Sequence, residues 1–344
     1  MENIEIQMRE FPKTREWHNV DRDVFRSEIA PLRKPAVLRG LAGDWPSVRA
    51  GRESPEALCE YLRAFDVGRP APTFLGPPQI KGQFWYREDM RGLNYQVRQA
   101  PPSELLDALL DMKDETEPGA FYAGAIPVCE HFPEFARDNS TDIVGEGAVA
   151  RLWIGNRATV STHFDMSENV AIVIGGRRRF TFIPPEQVRN LYVGPFDFTF
   201  AGPPVSMVDL REPDLDRFPR FAEALETAES AYLEPGDAVF IPYMWWHHVE
   251  ALDPISVLAN YWWDLTDKPW KGSPFKALAH AIMSIRDLPA REREVWRAWF
   301  DHYVFGAGHD AVAHLPPHVR GPIGEMTPET ARSVKAYLIE ELKQ

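Results

Sequence analysis

Two short segments of the sequence carry residue types that could bind a metal ion. The first contains His163 and Asp165, and the second contains the adjacent pair His247 and His248. Side chains at positions i and i+2 of a strand point to the same face, so His163 and Asp165 can reach one ion. Adjacent strand residues face opposite ways, so only one of the two later histidines can join them. Two histidines and one carboxylate that leave other coordination positions open are typical of non-haem Fe(II) sites.

A His-x-Asp triplet alone is a weak signal, because most histidines are ordinary core or surface residues, but the surrounding pattern is more specific. The triplet ends a predicted strand, and further strands, a Gly-Gly turn and a Pro-Gly-Asp turn follow in a set order over residues 158–165, 169–174, 177–183 and 234–242. Two tryptophans then precede the paired histidines. This order resembles the JmjC-type cupin oxygenases, above all their factor-inhibiting-HIF-like hydroxylase branch. The resemblance runs over about residues 35–263.

The resemblance implies a fold and a division of the chain. The expected fold class is mainly β with flanking helices, with a double-stranded β-helix, or jelly roll, as its core. The core would span residues 120–264, preceded by flanking α/β elements in residues 1–119 and followed by a helical region in residues 265–344. Residues 83–87 and 120–124 are both predicted to be strands, because both are rich in aromatic residues.

The resemblance also implies a ligand set and a cosubstrate. By the Trp-Trp-His pattern the second histidine ligand is His247, so His163, Asp165 and His247 would be the catalytic, metal-binding residues for Fe(II). The cosubstrate would be 2-oxoglutarate. Its far carboxylate requires a buried cation, because an unpaired buried charge is costly. The family places a lysine two residues after a glycine for this purpose, and here Arg178 follows Gly176. Arginine can bind a carboxylate through two parallel hydrogen bonds, but its larger head requires a different pocket.

Four further residues are expected at the cosubstrate site. Tyr122 matches a family tyrosine that bonds the far carboxylate, although a tyrosine packed in the sheet is an equally good interpretation. Asn169 and Asn260 match asparagines near the iron-bound end, and a buried amide needs hydrogen-bond partners that a ligand could supply. Close relatives often have a threonine where this chain has Val160. Ser161 or Thr162 could replace that hydroxyl, although a shift of one residue reverses the side-chain face.

Composition indicates the general class of the protein. The chain has 344 residues, 44% of them hydrophobic, which is enough for a substantial core. A net charge of −13 disfavours a general nucleic-acid binder. The sequence has no apolar run of membrane-spanning length and no signal-peptide pattern, so we expect no membrane partner and a cytoplasmic location. Cys59 and Cys129 make no metal-binding or redox spacing.

Two regions outside the predicted core suggest interactions. Residues 196–221 form a long aromatic and proline-rich segment between the two metal-binding segments, which is consistent either with a lid or with a packed surface insertion. A stripe containing Trp296, Trp299 and Tyr303 at helical spacing must be covered. Either packing on the barrel or a homodimer would cover it, and the resemblance favours a homodimer through these C-terminal helices.

The predicted function is therefore an Fe(II)- and 2-oxoglutarate-dependent oxygenase, with succinate and CO₂ as coproducts. Hydroxylation of a protein side chain or of an amino-acid-derived small molecule is the expected reaction. Two alternatives stay open at this point. One is a non-catalytic cupin that binds a ligand or a partner, and the other is a metal-dependent cupin enzyme that does not use 2-oxoglutarate.

Overall fold

The computed structural model describes residues 10–145, 147–200, 202–264, 272–306 and 311–343. The chain divides into two compact units, residues 1–265 and residues 266–344. The strands of the described ranges are β1 (Glu16–His18), β2 (Ala36–Arg39), β3 (Ala71–Gly76), β4 (Gln96–Ala100), β5 (Ala120–Pro127), β6 (Val149–Gly155), β7 (Thr159–His163), β8 (Glu168–Gly175), β9 (Arg178–Ile183), β10 (Glu229–Leu233), β11 (Ala238–Ile241), β12 (Trp246–Ala251) and β13 (Ser256–Trp263).

Five of the ten α-helices in the described ranges begin at a proline, and in three of these the side chain of the preceding residue caps the first turn. Ser54, for example, accepts a hydrogen bond from the amide of Ala57 at 3.0 Å, and Pro55 opens the helix. No helix in the described ranges has both the length and the apolar character needed to cross a bilayer. The α-helices are α1 (Arg22–Val24), α2 (Pro46–Glu53), α3 (Pro55–Arg63), α4 (Pro102–Met112), α5 (Val128–His131), α6 (Phe135–Asp138), α7 (Phe221–Glu226), α8 (Pro274–Ile285), α9 (Ala290–Phe300) and α10 (Pro328–Leu342). Short 3₁₀ or π segments lie at Phe25–Ile29, Ala30–Leu32, Pro78–Ile80, Pro185–Arg189, Asp301–Phe305, Pro317–Val319 and Gly321–Ile323.

The strands of the first unit form two sheets. The larger sheet has the order β1-β2-β11-β8-β13-β6-β5-β3-β4, and the smaller has the order β10-β9-β12-β7. Apolar side chains from both sheets share one core cluster, which includes Val173 and Val239 of the larger sheet and Phe180 and Val249 of the smaller. The two sheets therefore pack face to face, and the predicted jelly roll is confirmed.

The structure of β8 explains why its sequence contains a continuous run of apolar residues. All eight of its residues are buried. Ala171 and Val173 face the core between the sheets, while Val170 and Ile172 belong to a second cluster that also contains residues of α2, α3 and α4. A strand covered on both faces loses the alternation of polar and apolar residues.

One predicted strand is wrong. Residues 83–87 form only isolated bridges, between Gln83 and Thr159 and between Tyr86 and Leu93. Their aromatic side chains pack around a cavity beside the sheet, with Phe84 and Tyr95 in edge-to-face contact at 5.0 Å. The aromatic composition that indicated a strand therefore reflects packing within an irregular segment.

The second unit is helical in its described residues. Side-chain caps start two of its helices, with Ser273 bonding the amide of Lys276 and Thr327 bonding the amide of Thr330. Trp296 and Trp299 are 45% and 55% exposed, so the predicted aromatic stripe lies on the surface of this unit.

Candidate metal centre

The pairing of β7 with β12 brings the two metal-binding segments together. His163 lies directly opposite His247 in this antiparallel pair, and their ring centroids are 4.2 Å apart. Asp165 follows the end of β7, and its backbone carbonyl accepts a hydrogen bond from the amide of Met244 at 2.9 Å. One possible ligand atom from each of His163, Asp165 and His247 lies within 4.8 Å of the others. The structure thus brings all three predicted ligands to one point.

Both histidines present the nitrogen that a metal needs. The Nδ1 atom of His163 lies 2.8 Å from the carbonyl of Ser161, and that of His247 lies 3.0 Å from the carbonyl of Trp245. A carbonyl only accepts, so each Nδ1 carries the proton and each Nε2 keeps its lone pair. Burial, together with the neighbouring His247, lowers the pKa of His163, which favours the neutral ring. Neutral imidazoles with a fixed tautomer are suited to a metal.

A chain of hydrogen bonds supports the carboxylate ligand. The amide of Asn169 donates to Asp165 at 3.2 Å, and the amide of Asn260 donates to Asn169 at 3.3 Å. The indole nitrogen of Trp153 donates to Asn260 at 2.8 Å. The two asparagines line the inner cavity with the metal ligands, as predicted for cosubstrate residues. Their amides nevertheless already have partners within the protein.

An inner cavity of about 40 Å³ extends from the metal ligands to Arg178. Arg178 is 3% exposed, and its Nε donates to the hydroxyl of Ser256 at 3.0 Å. No carboxylate of the described residues forms an ion pair with it, and burial lowers its pKa to about 10. Tyr122 lines the same cavity, and burial raises its pKa, so its hydroxyl stays protonated. The cavity therefore ends in one buried cation and one hydrogen-bond donor, which suit a carboxylate.

Thr162 is the predicted cosubstrate residue that the structure does not bring to the site. The pairing of β7 with β12 shifts register, so that Val160 pairs with Val249 and His163 with His247. Val160 and His163 are three residues apart on β7, whereas their partners Val249 and His247 are two residues apart on β12. One extra residue on β7 is therefore unpaired, as in a β-bulge. Val160 consequently lines the cavities together with His163. The Thr162 hydroxyl instead lies 3.4 Å from Nδ1 of His248, away from the described cavity lining.

His248 takes the opposite face of β12 from His247, as strand alternation predicts. It is 2% exposed and is absent from the group of three possible ligands. Burial lowers its pKa to about 3, and the nearby charges of Asp209 and Arg211 act in opposite directions on it. His248 therefore stays neutral, and its ring lies on the face of β12 opposite the metal ligands.

A larger outer cavity of about 480 Å³ opens beside the metal ligands. The long segment 196–221 contributes to it, since Phe200 and Pro203 line the cavity. The segment is fixed to the 83–87 region by a hydrogen bond from the Tyr86 hydroxyl to the carbonyl of Phe198 at 2.6 Å. Part of this segment therefore borders the candidate site, so the segment is more than a packed surface insertion.

Sequence reasoning missed three residues that support the site. Trp153 ends the hydrogen-bond chain, and Ser256 holds Arg178. Glu168 is 2% exposed, forms an ion pair with Arg33, and accepts a hydrogen bond from the amide of Tyr243 at 3.0 Å, just before the second histidine segment. A glutamate at the start of an apolar strand was the one available signal. Nothing in the local sequence distinguishes Trp153 or Ser256 from ordinary strand residues.

Comparisons with known proteins agree with this geometry. Residues 21–268 match the model of the cupin-like domain. Lysine-specific demethylase 8 of Xenopus tropicalis is 28% identical over 247 residues, which are 70% of this chain and 50% of that protein. Lysine-specific demethylase JMJ31 of Arabidopsis thaliana is 27% identical over 280 residues, or 74% of this chain and 50% of that protein. Human HSPB1-associated protein 1 is 36% identical over 124 residues, or 35% of this chain and 25% of that protein.

The chain spans about half the length of the first two of these relatives. The matched residues 21–268 contain every strand from β2 to β13 and all three possible metal ligands. The match covers well over half of the chain and agrees with the jelly-roll topology. The protein belongs to the cupin-like, JmjC-type domain family.

Proposed function

We propose that the protein is an Fe(II)- and 2-oxoglutarate-dependent oxygenase that hydroxylates a protein side chain or an amino-acid-derived small molecule. The observation that carries this proposal is the pairing of two features in one cavity. Three ligand atoms within 4.8 Å lie at one end, and the buried, unpaired cation Arg178 lies at the other. A non-catalytic binding protein would not require the three metal ligands. A cupin enzyme that does not use 2-oxoglutarate would not require the buried cation Arg178.

The donor set fits Fe(II). Two neutral imidazoles and one carboxylate form the arrangement that non-haem Fe(II) oxygenases use, with open positions for other ligands. His163, Asp165 and His247 would hold the metal. When bound, Fe(II) with 2-oxoglutarate would supply O₂ activation and the oxidation of a substrate C–H bond.

The residues of the chain bind and orient the reactants. Arg178 and the Tyr122 hydroxyl would bind the far carboxylate of 2-oxoglutarate, which offsets the cost of burying the guanidinium. The Asn169 amide keeps the Asp165 carboxylate in one orientation. The aromatic residues of the outer cavity exclude water from the side of the site where the substrate enters.

The overall reaction balances without any further reactant. One C–H bond of the substrate breaks and one C–O bond forms, so the substrate loses two electrons. The oxidation of 2-oxoglutarate to succinate and CO₂ supplies two more. O₂ takes up the four electrons, and one of its oxygen atoms enters the product while the other enters succinate.

The names of two relatives suggest a related reaction. Both are lysine-specific demethylases. Demethylation begins with the same C–H hydroxylation, at an N-methyl group, so it would use the same metal centre. Nothing in the described cavity lining favours it, because the only carboxylate there is the metal ligand Asp165.

We also propose that the protein forms a homodimer through its helical unit. Trp299 and Phe305 are 55% and 75% exposed on that unit, and Val304 between them is 61% exposed. Monomeric proteins rarely expose apolar patches of this kind. A second copy would cover them.

Succinate formation tests the proposed activity. Purified protein with Fe(II), ascorbate, O₂ and 2-oxoglutarate should form succinate slowly even without substrate, and Asp165→Ala should form none. Arg137→Ala, a change at an exposed residue far from the cavities, is the matched control and should keep the wild-type rate. Failure of the wild-type protein to form succinate would contradict the proposal.

A further inference from the structure

The walls of the outer cavity are made mainly of aromatic rings. Beside the metal ligands, its lining includes Phe74, Phe84, Tyr95, Trp153, Phe200 and Trp262. These rings pack on one another, with centroid distances of 5.3 Å between Phe74 and Tyr95 and 5.7 Å between Trp153 and Trp262. Rings held by such mutual contacts form a preformed surface. We call this cavity the aromatic chamber.

The aromatic chamber has no charge available for a ligand. Among its described lining residues the only carboxylate is Asp165, and the only histidine is His163. Both are possible metal ligands, so neither is free to pair with a charged substrate. No lysine, arginine or glutamate lines the described chamber. A charged group that entered it would lose its hydration without gaining an ion pair, which is costly.

Aromatic rings can bind a cation, such as a methylated ammonium group, without a carboxylate. Such a group on one alkyl side chain is small, however. The chamber volume of about 480 Å³ lies within the range of pockets that enclose whole small molecules, and one alkyl side chain would leave most of it empty.

The chamber offers polar contacts at few points. Tyr95 lines it, and its hydroxyl forms no hydrogen bond with any described residue. Burial raises the pKa of Tyr95 to about 12, so the hydroxyl stays protonated and can donate. The Ser167 side chain also belongs to the lining. The chamber therefore matches a ligand with a large apolar surface and one or two uncharged polar atoms.

We propose that the aromatic chamber binds the uncharged aromatic or alicyclic ring system of a small-molecule substrate and presents one of its C–H bonds to the metal centre. This inference rests on the proposed oxygenase function and narrows its substrate class. Tyr95 is the residue that fixes the orientation of the ring system, through a hydrogen bond to an uncharged oxygen or nitrogen. The substrate would be hydroxylated with O₂ and 2-oxoglutarate, so atoms and electrons balance as in the proposed oxygenase reaction.

Binding to protein loaded with Zn(II), which has no redox chemistry, tests the substrate class independently of the iron chemistry and keeps Asp165 occupied as a metal ligand. Isothermal titration calorimetry would compare three probes: 2-naphthol, 3,3-dimethylbutan-1-ol, and choline, which has nearly the same shape as 3,3-dimethylbutan-1-ol but carries a positive charge. We expect 2-naphthol to bind most tightly and choline to bind at least tenfold more weakly than its neutral counterpart. Choline binding equal to or tighter than that of the alcohol would overturn the proposal in favour of a methylammonium substrate. Absence of binding by both neutral probes would also overturn it.

Two variants locate the binding. Met166 lines the chamber mouth and is 39% exposed, so Met166→Trp should narrow the chamber without disturbing the core. Val188→Trp makes a similar change at a position that is 53% exposed and outside the described lining. The affinity for 2-naphthol should fall at least tenfold in the first variant and stay unchanged in the second. Equal affinities in the two variants would exclude the chamber as the site.

A variant at Tyr95 tests its orienting role. Tyr95→Phe keeps the ring and removes only the hydroxyl. It should weaken 2-naphthol, which has an oxygen acceptor, and leave naphthalene unchanged, whereas an equal effect on both would show a structural role only. Because all these measurements use Zn(II)-loaded protein without 2-oxoglutarate, a failure here leaves succinate formation unaffected. A failure to form succinate likewise leaves these affinities unaffected, so the two proposals can fail separately.

Discussion

The amide of Asn169 donates a hydrogen bond to the carboxylate of Asp165 across 3.2 Å, and so fixes the orientation of the acidic metal ligand. The two residues lie on consecutive parts of the chain, with Asp165 just beyond β7 and Asn169 within β8. Asn260 and Trp153 extend this contact to the wall of the aromatic chamber. The metal ligand and the chamber are therefore connected by one continuous set of hydrogen bonds.

The first prediction concerns metal affinity. Asn169→Ala removes the donor to Asp165 and should weaken metal binding about 10- to 100-fold, the range found for residues that orient metal ligands. Mn(II) titration followed by electron paramagnetic resonance would measure the effect. Asn190→Ala is the control, because Asn190 bonds Gln187 at 2.8 Å outside the described lining. An Asn169→Ala affinity equal to that of the control would show that the contact has no orienting role.

The second prediction concerns the other end of the hydrogen-bond chain. Trp153→Phe removes the indole donor and leaves the buried oxygen of Asn260 without its partner, which should lower the free energy of unfolding by about 1–3 kcal/mol beyond the loss of ring contacts. Trp17→Phe is a matched control, because the Trp17 indole nitrogen is buried and has no partner among the described residues. Urea unfolding would compare the two variants. Equal destabilisation would mean that the Trp153 hydrogen bond contributes nothing measurable.

The third prediction separates ligand binding from stability. Arg178→Met removes a buried, unpaired cation, so the protein without 2-oxoglutarate should be as stable as the wild type or more stable. The affinity for 2-oxoglutarate should fall roughly 30-fold or more, since a lost charge pair costs 2 kcal/mol or more. Thermal unfolding with Mn(II), in the presence and absence of 2-oxoglutarate, would measure both effects.

Arg178→Lys is the control for charge, and it should retain part of the ligand-induced stabilisation. A methionine variant that 2-oxoglutarate still stabilises as strongly as it does the wild type would exclude Arg178 as the anchor. The inner cavity would then serve a different ligand.

The fourth prediction concerns assembly. Trp299→Asp places a charge on the exposed aromatic stripe of the helical unit and should convert the dimer to a monomer in sedimentation equilibrium. Val67→Asp, at a position 57% exposed on the first unit, should leave the dimer intact. A wild-type protein that is monomeric at all concentrations would contradict the proposal.

The sequence was informative where the chemistry depends on side-chain alternation and on strand order. The parity of His247 and His248 corresponds to the faces that the structure assigns. Asp165 joins His163 at the site as predicted, but it lies beyond the end of β7, so alternation along a strand does not by itself place it there.

Thr162 faces away from His163, as alternation requires. Alternation failed at Val160, which lines the cavities with His163 although it lies three residues before it, because the register shifts between β7 and β12. A bulge of this kind depends on the partner strand, which lies more than eighty residues away, and the local sequence does not reveal it.

Tertiary contacts account for the other gaps. The residues of 83–87 form isolated bridges rather than a strand, and Phe84 among them lines the aromatic chamber. Trp153 and Ser256 acquire their roles only from residues distant in the chain. The replacement of the usual lysine by Arg178 was visible in the sequence. Its burial and its lack of an acidic partner among the described residues were not.

Anaerobic titration of the Fe(II)-loaded protein with 2-oxoglutarate tests the central claim most directly. A keto acid that chelates Fe(II) gives a weak visible metal-to-ligand absorption band. We expect this band to appear and saturate in the wild type, to disappear in His247→Ala, and to require far more 2-oxoglutarate in Arg178→Met. Fe(II) binding without any band at millimolar 2-oxoglutarate would contradict the account, and would favour a cupin that binds metal for a different purpose.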